Sequence, residues 1–235
     1  MNGLQNIKVI AFDADDTLWD NEPYFRKAEK DMLGMISKYV PAEVAAESLY
    51  RTEVKNMPDY GYGAIAFTMS MIENAVNVTG GKISAEEIGW IVERGRELLR
   101  LNATPLEGVR ETLEKIWNSR RYRMVLLTKG ELLTQMNKLK RSGLSGFFDR
   151  VVVLCDKKER DYLDLCEAEG VAPENLLMVG NSLKSDMLPA VRVGACGVHI
   201  PYEIMWDYEK IESFTHERMI TAERFSDLVR ILSIV

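Results

Sequence analysis

The sequence predicts an α/β fold: a parallel sheet with helices on both faces, interrupted early by an all-helical block. Three observations carry this expectation. A run dominated by β-branched and aromatic residues, Ile7-Lys8-Val9-Ile10-Ala11-Phe12, breaks into acids and a threonine, Asp13-Ala14-Asp15-Asp16-Thr17. From residue 20 to about 102 the apolar residues recur at helical spacing, with no strand pattern between them. Beyond residue 103, strand-length apolar runs alternate with amphipathic helices, the pattern of a parallel sheet.

The first run has the composition of a buried strand, and its acidic end suits a turn. Residues i and i+2 of an extended chain face the same way, so a strand ending in Asp13-x-Asp15 sets two carboxylates side by side. Ligands bind at the carboxyl edge of open parallel sheets. Two acids there repel each other and require a metal ion, a shared proton or a cationic neighbour. Asp16 and Asp20 fit a simple helix-capping role; the Asp13/Asp15 pair does not.

Phe25, Ala28, Met32, Leu33, Ile36 and Tyr39 then predict a helix ending before Pro41. Further helices are expected at roughly 42–56 and 63–78, the second carrying Ile65, Phe67, Met69, Met71, Ile72 and Val76. Ser84-Ala85-Glu86-Glu87 is a capping-box signature, followed by Ile88, Ile91, Val92 and Leu99 on one face. Pro105 and Gly108 punctuate a return linker, and Val109, Leu113, Ile116 and Trp117 mark an amphipathic helix. Strands are expected at 123–128, 151–154, 176–179 and 197–200, with helices at 131–142, 159–169 and 183–193. A short strand at 219–221 precedes a last helix carrying Phe225, Leu228, Val229 and Leu232, while 202–218 carries no readable pattern.

The bulk properties exclude several classes. Apolar content of 46% with 28% charged residues is that of a soluble globular chain. A net charge of −6 argues against sequence-independent binding to nucleic acid or an anionic membrane. The local basic clusters, Arg120, Arg121 and Arg123 and then Lys138, Lys140 and Arg141, read as solvated helix faces and ends. Cys155, Cys166 and Cys196 form no CxxC pair, which argues against a disulfide framework or zinc site and for a reducing compartment. No signal-peptide pattern or run of membrane-spanning length is present, so the expected location is cytoplasmic.

Three further strand ends carry chemistry. In Met124-Val125-Leu126-Leu127-Thr128-Lys129-Gly130, Thr128 can donate one hydrogen bond and Gly130 lets the backbone approach a ligand closely. Val151-Val152-Val153-Leu154-Cys155-Asp156-Lys157-Lys158 ends in two cations. Leu176-Leu177-Met178-Val179-Gly180-Asn181-Ser182-Leu183-Lys184-Ser185-Asp186 ends in an amide and an acid. With Asp13-Ala14-Asp15-Asp16-Thr17 these segments resemble, in order, the four motifs of the haloacid dehalogenase-like (HAD) phosphohydrolases. The likeness covers residues 7–20 and about 105–200; the helical block matches the cap of one subclass by position, length and helical character.

The resemblance implies a Rossmann-like, HAD-like core of residues 1–20 and 103–235, with an inserted helical cap domain at 21–102. It implies Mg²⁺-dependent hydrolysis of a small phosphorylated metabolite through an aspartyl-phosphate. Asp13 would be the nucleophile, and Asp15 the general acid and then base. Thr128, Lys129 and Gly130 would hold phosphoryl oxygens. Lys157 would offset the repulsion between phosphate and carboxylates, since like unit charges 4 Å apart cost ~4 kcal/mol at an effective dielectric near 20. Lys157 fits the family's spacing to Tyr162 better than Lys158, its competitor. Asp13, Asp15 (through its backbone carbonyl), Asn181 and Asp186 would surround the metal. The departure is Asn181, an amide where the family usually has an acid, which leaves open whether Asn181 or Asp186 is the direct ligand.

Two other readings remain. A dehalogenase has no leaving alcohol to protonate, and members doing that chemistry lack the second aspartate, so Asp15 weighs against it. A non-catalytic binding or regulatory module on a HAD scaffold is favoured by Asn181 alone. Substrate identity and oligomeric state are not written in the sequence. Tyr60, Tyr62 and Phe67 beside Gly61 and Gly63 are candidates either to face the site or to pack the cap's own core.

Overall fold

The computed structural model describes residues 4–234, and the chain divides into two compact units, Met1–Asp20 with Ala103–Val235, and Asn21–Asn102. The first is built on six strands: β1 (Val9–Phe12), β2 (Arg123–Lys129), β3 (Arg150–Leu154), β4 (Leu176–Gly180), β5 (Cys196–His199) and β6 (Met219–Thr221). All pair in parallel in the order β3-β2-β1-β4-β5-β6, so the N-terminal strand lies inside the sheet.

Because strand side chains alternate, β1 serves two cores at once. Ile10 and Phe12 pack with Val109, Leu113 and Ile116 of α5 (Val109–Ser119) and with Leu228 of α9 (Leu228–Ile231). Val9 and Ala11 pack with Tyr162, Leu165 and Cys166 of α7 (Glu159–Glu169) and with Ala190 of α8 (Leu188–Arg192). Burial on both faces explains the unbroken apolar run of this strand. Trp117, expected on the inner face of α5, is instead exposed. The helix expected at 183–193 divides into a π turn, Leu183–Met187, and α8, which opens with Pro189 in its first turn. The three cysteines are free, Cys155 exposed and the other two buried.

The second unit is four helices: α1 (Glu22–Ile36), α2 (Ala42–Tyr60), α3 (Ala64–Val78) and α4 (Ala85–Leu99). Met32, Ile36, Leu49, Met71 and Ile91 form its centre. The second helix overruns its expected end at 56 and continues through Pro58, because a proline removes only its own donor and Gly61 closes the last turn onto Met57. In α3, Phe67 and Met71 pack inward while Ile65 and Met69 are exposed, which separates true core positions from the rest of the apolar run. Phe67 stacks near Phe25 inside this unit, and Tyr60 is exposed. The capping box at α4 forms as expected: Ser84 Oγ accepts from the Glu87 amide (3.2 Å), and Glu87 accepts from the Ser84 amide (2.8 Å).

Candidate active site

The site grows from the carboxyl end of β1. Asp13 follows the strand, and its amide still bonds to Val179 of β4 (2.9 Å), which fixes it between two strand ends. The chain then turns tightly: the Leu18 amide returns to Ala14, and Asp16 sits at φ +59 with its amide bonded to Trp19. Aspartate is among the few residues other than glycine that tolerate this left-handed conformation. Of the compensations open to two neighbouring acids, the structure supplies cationic neighbours, one lysine for each.

For Asp13 the cation is Lys157, just beyond β3, whose side chain is 1% exposed. Its Nζ donates to Asp13 Oδ1 at 2.5 Å and to Asp186 Oδ1 at 2.6 Å. Lys158, its competitor, is mostly exposed and lies 3.5 Å from Asp156. Tyr162 on α7 is buried, and its one hydroxyl proton serves the backbone carbonyl of Ser185 (3.0 Å) or of Asp186 (3.2 Å), holding the loop after β4 against the lysine. The other oxygen of Asp186 accepts from the Ser182 amide at 2.9 Å. Gly180 makes room for this: a Cβ there would lie 2.3 Å from Asp186 Oδ2.

Burial dominates the electrostatics of Asp13 and pushes its carboxyl up; Lys157 pulls it down, Asp186 and Asp15 push it up, and the balance falls at about 7. For Lys157, burial opposes the charge, but Asp13 and Asp186 outweigh it and hold the ammonium above its ordinary range.

Thr17 joins the first and fourth motifs. Its Oγ1 lies 3.1 Å from Asp13 Oδ2 and 3.2 Å from Asn181 Oδ1, and it accepts from the Asn181 amide at 3.1 Å. The single hydroxyl proton serves Asp13 or Asn181, not both at once. His199 Nε2 is 3.0 Å from the Asn181 carbonyl, and burial lowers its pKa.

Around Asp15 the donors are Lys138 Nζ, 2.9 Å from each carboxylate oxygen, Trp19 Nε1 at 2.7 Å and Gln135 Nε2 at 3.1 Å. Gln135 also reaches Thr128 Oγ1 (2.7 Å) and the Lys129 carbonyl (2.9 Å), tying the first motif to the second. Two amide protons serve these three acceptors in turn.

The second-motif residues are otherwise engaged than the sequence suggests. Thr128 is buried and accepts from Gln135. The Gly130 amide donates to Leu154 at the end of β3 (3.0 Å), and its φ of +124 is open to glycine alone. The Lys129 ammonium is held by Glu209 Oε1 (2.6 Å) and Ser185 Oγ (2.8 Å). Glu209 also accepts from Ser182 and Ser185, each at 2.6 Å. Burial would raise the Glu209 carboxyl, but Lys129 and the hydrogen bonds win and bring it down to about 2. Lys138 corrects the reading of its basic cluster as solvated surface: Lys140 and Arg141 are exposed, but Lys138 is buried. Its place on the same helical face as Leu139 and Ser142 was the available signal. Gln135 lies on that face too, whereas nothing in 202–218 pointed to Glu209.

The comparisons agree with this architecture. A sequence model described as haloacid dehalogenase-like hydrolase matches residues 7–194. The chain is 26% identical to N-acylneuraminate-9-phosphatase of Rattus norvegicus, over 82% of this chain and 81% of that one. It is 27% identical to glyceraldehyde 3-phosphate phosphatase of Methanothermobacter thermautotrophicus, over 84% and 87%. A crystal structure of a haloacid dehalogenase-like family hydrolase from Xanthomonas campestris superimposes with a TM-score of 0.86 at 35% identity, covering 97% of this chain and 92% of that one. With four motifs at four adjoining strand ends and a family match across most of its length, this chain belongs to the haloacid dehalogenase-like hydrolases and is an enzyme.

Proposed function

We propose that the enzyme is a phosphatase that hydrolyses a small phosphomonoester through an aspartyl-phosphate on Asp13. The observation that carries this reading is the buried ammonium of Lys157 between Asp13 and Asp186, with Asp15 two residues along the chain. A dianionic substrate can approach carboxylates only where fixed positive charge offsets them. The curated relatives named above, both phosphatases of small phosphorylated compounds by name, support the same class.

Asp13 attacks phosphorus as the bond to the leaving oxygen breaks, and Asp15 protonates that oxygen. Asp15 then takes a proton from water as the water displaces Asp13 and releases phosphate. Lys157 and Thr128 balance charge on the transferring group. The donors that would surround the metal are oxygens: the Asp13 carboxylate, the Asp15 backbone carbonyl and the Asn181 side-chain oxygen, the last sharing the Thr17 hydroxyl with Asp13. Among the described residues no group of three or more His, Cys, Asp or Glu side chains is arranged for a metal. The oxygen set still fits Mg²⁺, which needs only one or two carboxylates and keeps several waters. When bound, Mg²⁺ would supply positive charge to the phosphoryl oxygens; Asp13, Asp15 and Asn181 would hold it, leaving Asp186 to anchor Lys157. The helical unit, 21–102, is read as the cap.

The test is hydrolysis of an aryl phosphate and a panel of phosphorylated sugars and acids, with Mg²⁺ and with EDTA. Metal-dependent turnover that disappears in Asp13→Asn, together with its acid-stable phosphoenzyme, is expected. Absence of metal-dependent turnover across the panel would refute the reading and favour a binding module.

A further inference from the structure

The helix α6 (Leu132–Ser142) is unusual in what it turns inward. Thr134, Gln135, Lys138, Leu139 and Ser142 are buried, while Leu132, Leu133 and Met136 are exposed. An ammonium is costly to bury unless it is paired and hydrogen-bonded. The Lys138 side chain is 5% exposed, and its Nζ meets both oxygens of Asp15 at 2.9 Å.

We propose that Lys138 is a positioning residue for the reaction, acting through Asp15. It holds the Asp15 carboxyl group in the orientation from which its acid form passes a proton to the leaving alcohol and the carboxylate so formed takes one from water. This inference rests on the reading of Asp15 as general acid and base. A carboxylate on a loop has free side-chain torsions, and donors on both of its oxygens fix its plane. Trp19 adds a second donor to Oδ1, and Gln135 ties Oδ2 toward Thr128, where the phosphoryl group is to be held. Protons balance over the cycle. Asp15 gives one to the alcohol oxygen as that oxygen leaves phosphorus and Asp13 joins it. It regains one from water as the water oxygen joins phosphorus and the bond to Asp13 breaks. Lys138 keeps its protons throughout.

A merely structural ion pair would lower the activity of the folded enzyme alike for every substrate; a positioning residue would not. The experiment compares wild type, Lys138→Met, Lys138→Gln and Lys138→Arg by rapid-quench kinetics. One substrate is an aryl phosphate with an acidic phenol and the other a primary alkyl phosphate turned over by the wild type. In Lys138→Met, phosphorylation of Asp13 by the alkyl phosphate should slow about 10- to 100-fold, within the usual contribution of a general acid or base. Phosphorylation by the aryl phosphate should stay within about threefold of wild type, followed by accumulation of phosphoenzyme because the water-activating step also suffers. KM should change little, and Lys138→Arg, which can still span both oxygens, should recover most of the loss. Equal slowing of phosphorylation by both substrates, or arginine no better than methionine in folded protein, would overturn the proposal. Should Lys138→Met fail to fold, Lys138→Gln, which keeps one hydrogen bond, decides on the same readouts. Turnover surviving in Asp13→Asn overturns the underlying reading. Loss in Asp13→Asn and Asp15→Asn beside an unaffected Lys138→Met overturns this inference alone.

Discussion

Glu87 in the helical unit and Asp13 in the sheet unit are both largely buried carboxylates, and their surroundings push them in opposite directions. Glu87 is held by Lys38, by the Ser84 amide and by Tyr39, and falls to about 2. Lys38 and Tyr39 lie in the turn just after α1, and Ser84 is the N-cap of α4. Asp13 rises to about 7 because burial outweighs its lysine, with Asp186 and Asp15 adding to the strain. A carboxylate that its neighbours satisfy is a fastener; one that burial raises beside a buried cation marks a candidate functional site. The helical unit keeps its buried charge for capping, whereas the sheet unit gathers Lys157, Lys138, Asp13 and Asp186 at one edge.

The sharpest way to break this contrast is to remove one lysine from each unit. Lys157→Met leaves Asp13 and Asp186 facing each other in a buried site and should cost about 3–5 kcal/mol of stability, with activity abolished. Lys38→Met, at a side chain that is 62% exposed, should cost far less. Urea unfolding of both variants measures the difference. Comparable losses would mean that the sheet edge is no more dependent on its buried cation than a helix surface.

A smaller effect is expected at Asn181. An aspartate there restores one negative charge beside the donors for Mg²⁺, a Coulombic change on the order of 1–3 kcal/mol. Asn181→Asp should tighten Mg²⁺ in calorimetric titration without substrate, and raise KM at saturating metal. An unchanged or weaker Mg²⁺ affinity would place Asn181 away from the metal. The smallest effect belongs to the helical unit: Ser84→Ala removes one side of the capping box and should cost about 1 kcal/mol. Its kcat should not change, and a clear loss of kcat at intact folding would show that the cap of α4 is more than structural.

Legibility in the sequence followed physical range. The strands and their order of chemistry were readable because a strand buried on both faces must be apolar and must stop abruptly where polar work begins. The family's spacing to Tyr162 favoured Lys157 over Lys158 without settling between them, and in the structure Lys157 is buried while Lys158 is mostly exposed. Lys138 and Gln135 were hidden by composition: a lysine near Lys140 and Arg141 looks solvated unless its helical face is followed. Glu209 was not legible at all, since it arrives from an aperiodic loop and its partners come from 129, 182 and 185. Such long-range pairings leave no local pattern.

The interior position of β1 sets an order of assembly. Val9 pairs with Arg123 on one side and with Leu176 on the other, and the Asp13 amide is satisfied by Val179. This strand precedes both of its sheet partners in the chain, with the whole helical unit between it and the first of them. Contacts of such sequence separation form slowly, and an unpaired apolar strand is prone to aggregate while it waits. Its two aspartates inherit the delay: a chain ending before β4 carries both of them and lacks the strand that orients Asp13. Recovery of catalysis during refolding is therefore a clock for closure of the sheet, whereas recovery of helical signal can run ahead of it.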